Sequence, residues 1–191
     1  MIDLKGNQLI LASRSPRRKE LLQGLHLDFE IRIKETQEDF PADMPADKVA
    51  SFLSEKKAKA FHSELKMGEL VLTSDTVVVL EGKILNKPSG AKEAKEMLKS
   101  LSGNVHEVMT SITILSSEKM VTQQDIAKVT FKELSDEEID YYITYFQPFD
   151  KAGAYGIQEW IGFIGVEKLE GSFYTVMGLP VHLVYKVLNE W

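Results

Sequence analysis

Residues 71–80 read VLTSDTVVVL, and no other stretch limits the fold as strongly. Apolar and β-branched residues at this density form a strand, and a run so apolar must be buried. It falls far short of the ~20 apolar residues that a membrane span needs. The strand therefore requires a sheet around it and other elements to cover that sheet. The rest of the chain supplies both. Residues 8–12 and 28–33 read as strands, 105–115 as a β-like stretch, and 126–133 as an alternating one with Ala127, Val129 and Phe131 on one face. Glu81-Gly82 reads as a hairpin turn with residues 83–85 returning, and Glu170-Gly171 as a second turn joining residues 163–169 to 172–177. Helical spacing runs from Pro16 through Leu21, Leu22 and Leu25, over residues 46–65, from Ser89 as cap through Leu101, and over residues 181–188. The box SDEE at residues 135–138 opens a further helix with Ile139, Ile143 and Phe146 on one side. Residues 34–47 and DKAGAYGIQEWIG read as loops. Strands and helices mix without a strict βαβ rhythm. The expectation is an α/β chain, with a mixed twisted sheet and flanking helices, in one domain spanning residues 1–191.

The bulk numbers exclude several classes of function. At 191 residues the chain is long enough to bury a sizeable core. Its formal net charge of −6 argues against general electrostatic binding of nucleic acid. With no cysteine it has no disulfide, thiolate metal site or cysteine nucleophile. The start MIDLKGNQ shows no leader pattern, so a cytoplasmic protein without membrane contact is expected. His26, His62, His106 and His182 form no HxH or HExxH motif and read as surface or satisfied structural residues.

Three local oddities carry chemical content. In LILASRSPRRKELL, Ser15 suits an N-cap and Pro16 the first helical position, which leaves Arg17 and Arg18 in the first turn. A helix N-terminus is already electropositive, so two arginines there, beside Ser13, suit an incoming phosphate. An ordinary Ser-Pro cap with two solvated arginines is the plainer alternative; the GxxxxGK[ST] phosphate loop is absent. Asp75 lies inside the buried strand, where an ionised carboxylate is costly unless paired or metal-bound. Lys57 falls on the row of Val49, Leu53 and Phe61, an inward face that should be apolar, although a lysine can also snorkel. Lys87 stands in the loop ILNKPSG. The loop GAYGIQ carries Gln158, whose amide can pair with the O4 and N3–H of uracil or thymine, and also with guanine O6 and N1–H. Tyr141, Tyr142, Tyr145 and Phe146 read as core and helix surface.

Taken together, LILASRSPRRKELL, the SDTVV strand, NKP, LSGNVHEVMT and DKAGAYGIQ resemble the Maf family of nucleoside triphosphate pyrophosphatases, with the motifs in order from Leu9 to Pro180. The resemblance implies a fold related to the inosine triphosphatase group, with two lobes around a deep cleft. It implies hydrolysis between the α and β phosphates of a nucleoside triphosphate, a divalent cation (Mg²⁺ or Mn²⁺), and often a homodimer. GAYGIQ looks like the dTTP/UTP branch. The family's functional positions fall on Ser13, Arg17, Arg18, Glu38, Lys57, Asp75, Lys87 and Gln158. The resemblance gives Glu38 and Asp75 to the metal, and Asp75 with Lys57 and Lys87 to catalysis. It gives Ser13, Arg17, Arg18 and Gln158 to substrate binding. Glu159-Trp160 departs from the small glycine-containing turn of that branch, and a bulky Trp160 there would narrow the base pocket or pack on the base. The family is also associated with septum inhibition, so a nucleotide-binding division regulator with little turnover competes with the enzyme, as does a pyrophosphatase for a non-canonical purine nucleotide.

Overall fold

The computed structural model describes residues 2–191. Among them, the elements follow in the order β1 (Gln8–Leu11), α1 (Pro16–Gln23), β2 (Phe29–Ile31), α2 (Ala46–Lys59), β3 (Glu69–Leu80), β4 (Lys83–Leu85), α3 (Ala91–Leu101), β5 (Val105–Leu115), β6 (Met120–Phe131), α4 (Asp136–Phe146), a 3-10 turn (Ala152–Ala154), α5 (Trp160–Gly165), β7 (Val166–Glu170), α6 (Phe173–Met177) and α7 (Val181–Asn189). The strands form a seven-stranded mixed sheet in the order β2-β1-β3-β5-β6-β7, with β4 paired to β3 off that path. β1 is parallel to β2 and to β3; β4 is antiparallel to β3, and β7 to β6. The mixed α/β expectation holds.

The chain divides into two compact units. The first comprises the residues up to Asp75 with 110–125 and 178–191; the second comprises 76–109 and 126–177. The breaks fall within β3, β5 and β6, so each of these strands contributes to both units.

In the first unit, Leu9 and Leu11 of β1 and Leu70 and Leu72 of β3 pack with Leu22 of α1 and with Val184 and Leu188 of α7. The burial of Val184, Val187 and Leu188 follows the i, i+3, i+4 spacing of an amphipathic helix. Helix α2 is shorter than the 46–65 pattern. After Lys59 the backbone tightens into i→i+3 bonds, Phe61 N–H to Ala58 O at 3.0 Å and His62 N–H to Lys59 O at 3.1 Å. Phe61 still reaches the interior, from the turn, and packs on Ile10 and Val71.

In the second unit, Leu98 and Leu101 of α3, Val129 and Phe131 of β6, and Ile139 and Tyr142 of α4 share a core with Tyr155, Ile157 and Ile161. The Ser135 capping box is formed. Three local expectations change here. Gly90, not Ser89, is the N-cap of α3, and Ser89 donates its N–H and hydroxyl to the Glu93 carboxylate at 2.7 and 2.6 Å. Phe146 is half-exposed, and Tyr142 takes the inward position one turn after Ile139. Residues 163–177 form no hairpin: 160–165 are helical because Ile161 is drawn into the core, β7 pairs with β6, and 173–177 turn into α6.

Candidate active site

The first unit gathers Ser13, Arg17, Arg18, Glu38, Lys57 and Asp75. Ser15 caps α1, its hydroxyl accepting the Arg18 N–H at 3.4 Å, with Pro16 in the first turn and no acidic residue there. Ser13, nearly buried, accepts the Ser15 N–H at 3.2 Å and so closes the turn that starts the helix. Arg18 reaches back across the unit. Its Nε donates to Gly178 O and its Nη1 to Ser74 O, each at 2.8 Å, which ties α1 to β3 next to Asp75 and to the segment before α7. Ser74 reinforces the tie by donating its hydroxyl to Gly178 O at 3.1 Å. Burial lowers the Arg18 pKa, and the nearby Asp75 carboxylate opposes that shift.

Lys57 and Asp75 explain each other. The Lys57 ammonium donates to Asp75 Oδ2 and, at 2.7 Å, to Glu38 Oε1. Asp75 is only 7% exposed, and the cation that buried carboxylates need sits directly against it. A ladder of buried hydroxyls sets the distance between the two elements. Ser54, one turn before Lys57 on α2, bonds Ser111 at 3.1 Å and Thr113 at 2.9 Å, while Thr73, two residues before Asp75 on β3, donates to Ser54 O at 2.7 Å. Ala58 is fully buried, and its small side chain suits a close approach of helix to sheet. The loop that carries Glu38 is tied down on either side of that residue, to the turn that follows α2 and to α2 itself. Lys34 donates to Ala60 O at 2.8 Å and pairs with Glu64 at 2.7 Å; Lys56 binds Asp39 Oδ1 at 2.6 Å.

Among the described residues no three His, Cys, Asp or Glu side chains gather into a metal-holding group. Two carboxylates, Glu38 and Asp75, do converge on one cationic atom. Such a hard-oxygen pair suits Mg²⁺ or Mn²⁺, because Mg²⁺ typically takes one or two protein carboxylates and completes its shell with substrate phosphates and water.

Lys87 and Gln158 belong to the second unit. Lys87 is exposed in the loop after β4, and Gly153 N–H donates to the carbonyl of the preceding Asn86 at 3.2 Å, which joins that loop to DKAGAYGIQ. Gln158 is half-buried in the turn before α5. Behind this turn stand Tyr142, Lys151 and Glu159, to which the sequence assigned no role in the site. Trp160 packs on Tyr141 of α4, ring centroids 4.8 Å apart.

His106 also departs from expectation. It is buried on β5, its Nε2 lies 2.7 Å from Tyr155 Oη, and its Nδ1 has no hydrogen-bond partner among the described residues. Phe131 and Tyr155 pack on the imidazole with centroids 5.3 Å away. Burial pushes its pKa down to about 4.

The family described as Maf-like protein matches residues 8–191. The chain belongs to this family. A Flavobacterium johnsoniae member named dTTP/UTP pyrophosphatase is 50% identical over 186 residues, 97% of this chain and 96% of that one. A Porphyromonas gingivalis member with the same name is 48% identical over 195 residues, 100% and 98% of the two chains. A Bacteroides thetaiotaomicron member, also so named, is 47% identical over 184 residues, 96% and 95% of the two chains. Among solved structures, the Staphylococcus aureus Ham1 protein aligns over 96% of this chain and 99% of that one, with a TM-score of 0.53 at 15% identity; this likeness bears on the fold alone.

Proposed function

We propose that this Maf-family chain is a pyrophosphatase that hydrolyses dTTP and UTP between the α and β phosphates, releasing the nucleoside monophosphate and pyrophosphate. The observation that carries the reading is the Glu38–Lys57–Asp75 cluster beside an arginine-bearing helix N-terminus, in a family whose curated members carry that activity as their name.

Phosphoryl transfer needs positioning and neutralisation of developing charge more than covalent chemistry. Ser13, Arg17 and Arg18 at the start of α1, with Lys57, hold and neutralise the phosphates of the bound nucleotide. Glu38 and Asp75 would hold a divalent cation, Mg²⁺ or Mn²⁺, which when bound supplies charge neutralisation at the phosphates. The Asp75 carboxylate orients the attacking water and takes its proton; the anhydride bond breaks and the electrons leave with pyrophosphate. In the second unit, Lys87 supplies a further cation for phosphate, and the Gln158 amide pairs with the O4 and N3–H edge of the base. The net charge of −6 fits a free nucleotide substrate better than nucleic acid. The resemblance also supports one Maf-like domain, a homodimer and a cytoplasmic location.

The test is pyrophosphate release from dTTP, UTP, CTP, dGTP and ITP with Mg²⁺ or Mn²⁺, for the wild type and Asp75→Asn. Strong release from dTTP and UTP that collapses in the variant is expected. Preference for a purine nucleotide refutes the base assignment. Near-normal turnover of Asp75→Asn refutes the role of Asp75, and nucleotide binding without release from any substrate establishes a regulator instead.

A further inference from the structure

Gln158 is the third residue of a tight turn that begins at Gly156 and ends at Glu159. The Glu159 N–H closes it on Gly156 O at 3.0 Å. Backbone closure alone leaves a glycine-containing turn free to hinge. Here a second closure runs through side chains. Tyr142, fully buried on α4, accepts the Gly156 N–H on its hydroxyl oxygen at 3.0 Å and donates its hydroxyl hydrogen to the Glu159 carboxylate. One hydroxyl therefore grips both ends of the turn.

The other oxygen of Glu159 lies 3.1 Å from the Lys151 ammonium, which is 9% exposed and also pairs with Asp150 at 2.7 Å. The carboxylate has thus given up much of its water for two specific partners. Burial, and then the bond to Glu159, raise the Tyr142 pKa, so the phenol stays a hydrogen donor. Gly156 is required for space. A Cβ there would lie 2.8 Å from Glu159 Cδ and 3.1 Å from both Glu159 Oε1 and the Gln158 amide nitrogen. The turn is folded directly around the carboxylate.

We propose that Glu159 is a positioning residue which, through Tyr142 and Lys151, fixes the backbone of the turn that presents Gln158 and so sets discrimination among nucleotide bases. This rests on the reading of Gln158 as the base-recognising residue. Neither Glu159 nor Tyr142 acts on the phosphates. A turn held in one backbone geometry presents the Gln158 side chain to the base without first losing backbone freedom, and releasing the clamp returns that cost to binding. The effect therefore falls on KM for the matching base rather than on the chemical step.

The experiment measures kcat and KM for dTTP, UTP and CTP, whose base presents donor and acceptor in the reverse order to uracil, in the wild type, Tyr142→Phe, Glu159→Gln, Gln158→Ala and the double variant Tyr142→Phe/Gln158→Ala. Tyr142→Phe keeps the ring and its stacking on Phe146, 5.1 Å between centroids, and removes only the hydroxyl. KM does not depend on the fraction of active enzyme, so partial misfolding cannot imitate the result. The expected outcome for Tyr142→Phe is a roughly tenfold rise in KM for dTTP and UTP, little change in KM for CTP, and a smaller change in kcat than in KM. Glu159→Gln, which can still accept the Tyr142 hydroxyl but lacks the charge for Lys151, falls between wild type and Tyr142→Phe. In the double variant the Tyr142 change adds nothing beyond Gln158→Ala. If Gln158→Ala loses discrimination while Tyr142→Phe and Glu159→Gln keep it, the clamp is overturned and Gln158 stands. If Gln158→Ala itself keeps discrimination, the base-recognition premise fails, whatever the other variants do. Additive effects in the double variant also overturn the clamp, because they place the two residues in separate roles.

Discussion

His106 makes the second unit acid-sensitive by an amount that can be worked out. Its imidazole is buried against Phe131 and Tyr155, with one nitrogen on the Tyr155 hydroxyl and the other without a partner among the described residues, and its pKa falls from 6.5 to about 4. In the folded state the ring is neutral; in the unfolded chain it takes up a proton below its ordinary value. The unfolded state therefore binds more protons between these two values, and stability rises with pH across that window. The contribution is fully present above 6.5 and is lost as pH falls toward about 4. Between pH 7 and pH 4.5 the loss comes to about 2–3 kcal/mol, at 1.36 kcal/mol per unit of pKa difference. His106→Gln removes the titration and can keep a polar contact to Tyr155. It gives up the ring contacts, a cost that does not vary with pH. Urea unfolding at a series of pH values, followed by fluorescence of Trp160 in a Trp191→Phe background, measures both proteins; the chain has two tryptophans, and Trp160 lies in the same unit as His106. The wild-type advantage over His106→Gln should shrink by about 2–3 kcal/mol from pH 7 to pH 4.5. A difference that stays constant to within about 0.5 kcal/mol across that range refutes the assignment of a neutral, buried His106.

Two further outcomes follow from the geometry. Lys57→Met keeps the stem and removes the cation between Glu38 and Asp75; pyrophosphate release should fall by about 100-fold or more and stability by about 1–3 kcal/mol, read by a coupled assay and by urea unfolding. Gly153→Ala should cost about 2–4 kcal/mol, because Gly153 has φ +70 and a Cβ there would lie 3.0 Å from Val78 in the core; Gly82→Ala, at φ +78 with no atom within 4 Å, should cost only about 1 kcal/mol in the same measurement.

The sequence by itself determined the elements whose signals are local. The Ser15-Pro16 start of α1, the capping box of α4 and the buried run of β3 rest on contacts within a few residues, and they stand where local chemistry puts them. Two candidate site residues were legible for a related reason. Asp75 and Lys57 each break an apolar pattern, and a charge at a buried position needs a partner; each turned out to be the other's. Tertiary structure alone decided the rest. Residues 160–165 carry strand-forming side chains, yet they form a helix with Ile161 in the core, and 173–177 turn into α6 instead of pairing along the outer edge of β7. The clamp behind Gln158 was invisible for the same reason. Tyr142 looked like one more aromatic on a helix, Lys151 like a loop lysine, and Glu159 like a departure from a familiar turn. Their bond depends on bringing α4 against a loop 14 to 17 residues further along the chain. No local period encodes that meeting, because it forms only when the apolar face of α4 is buried.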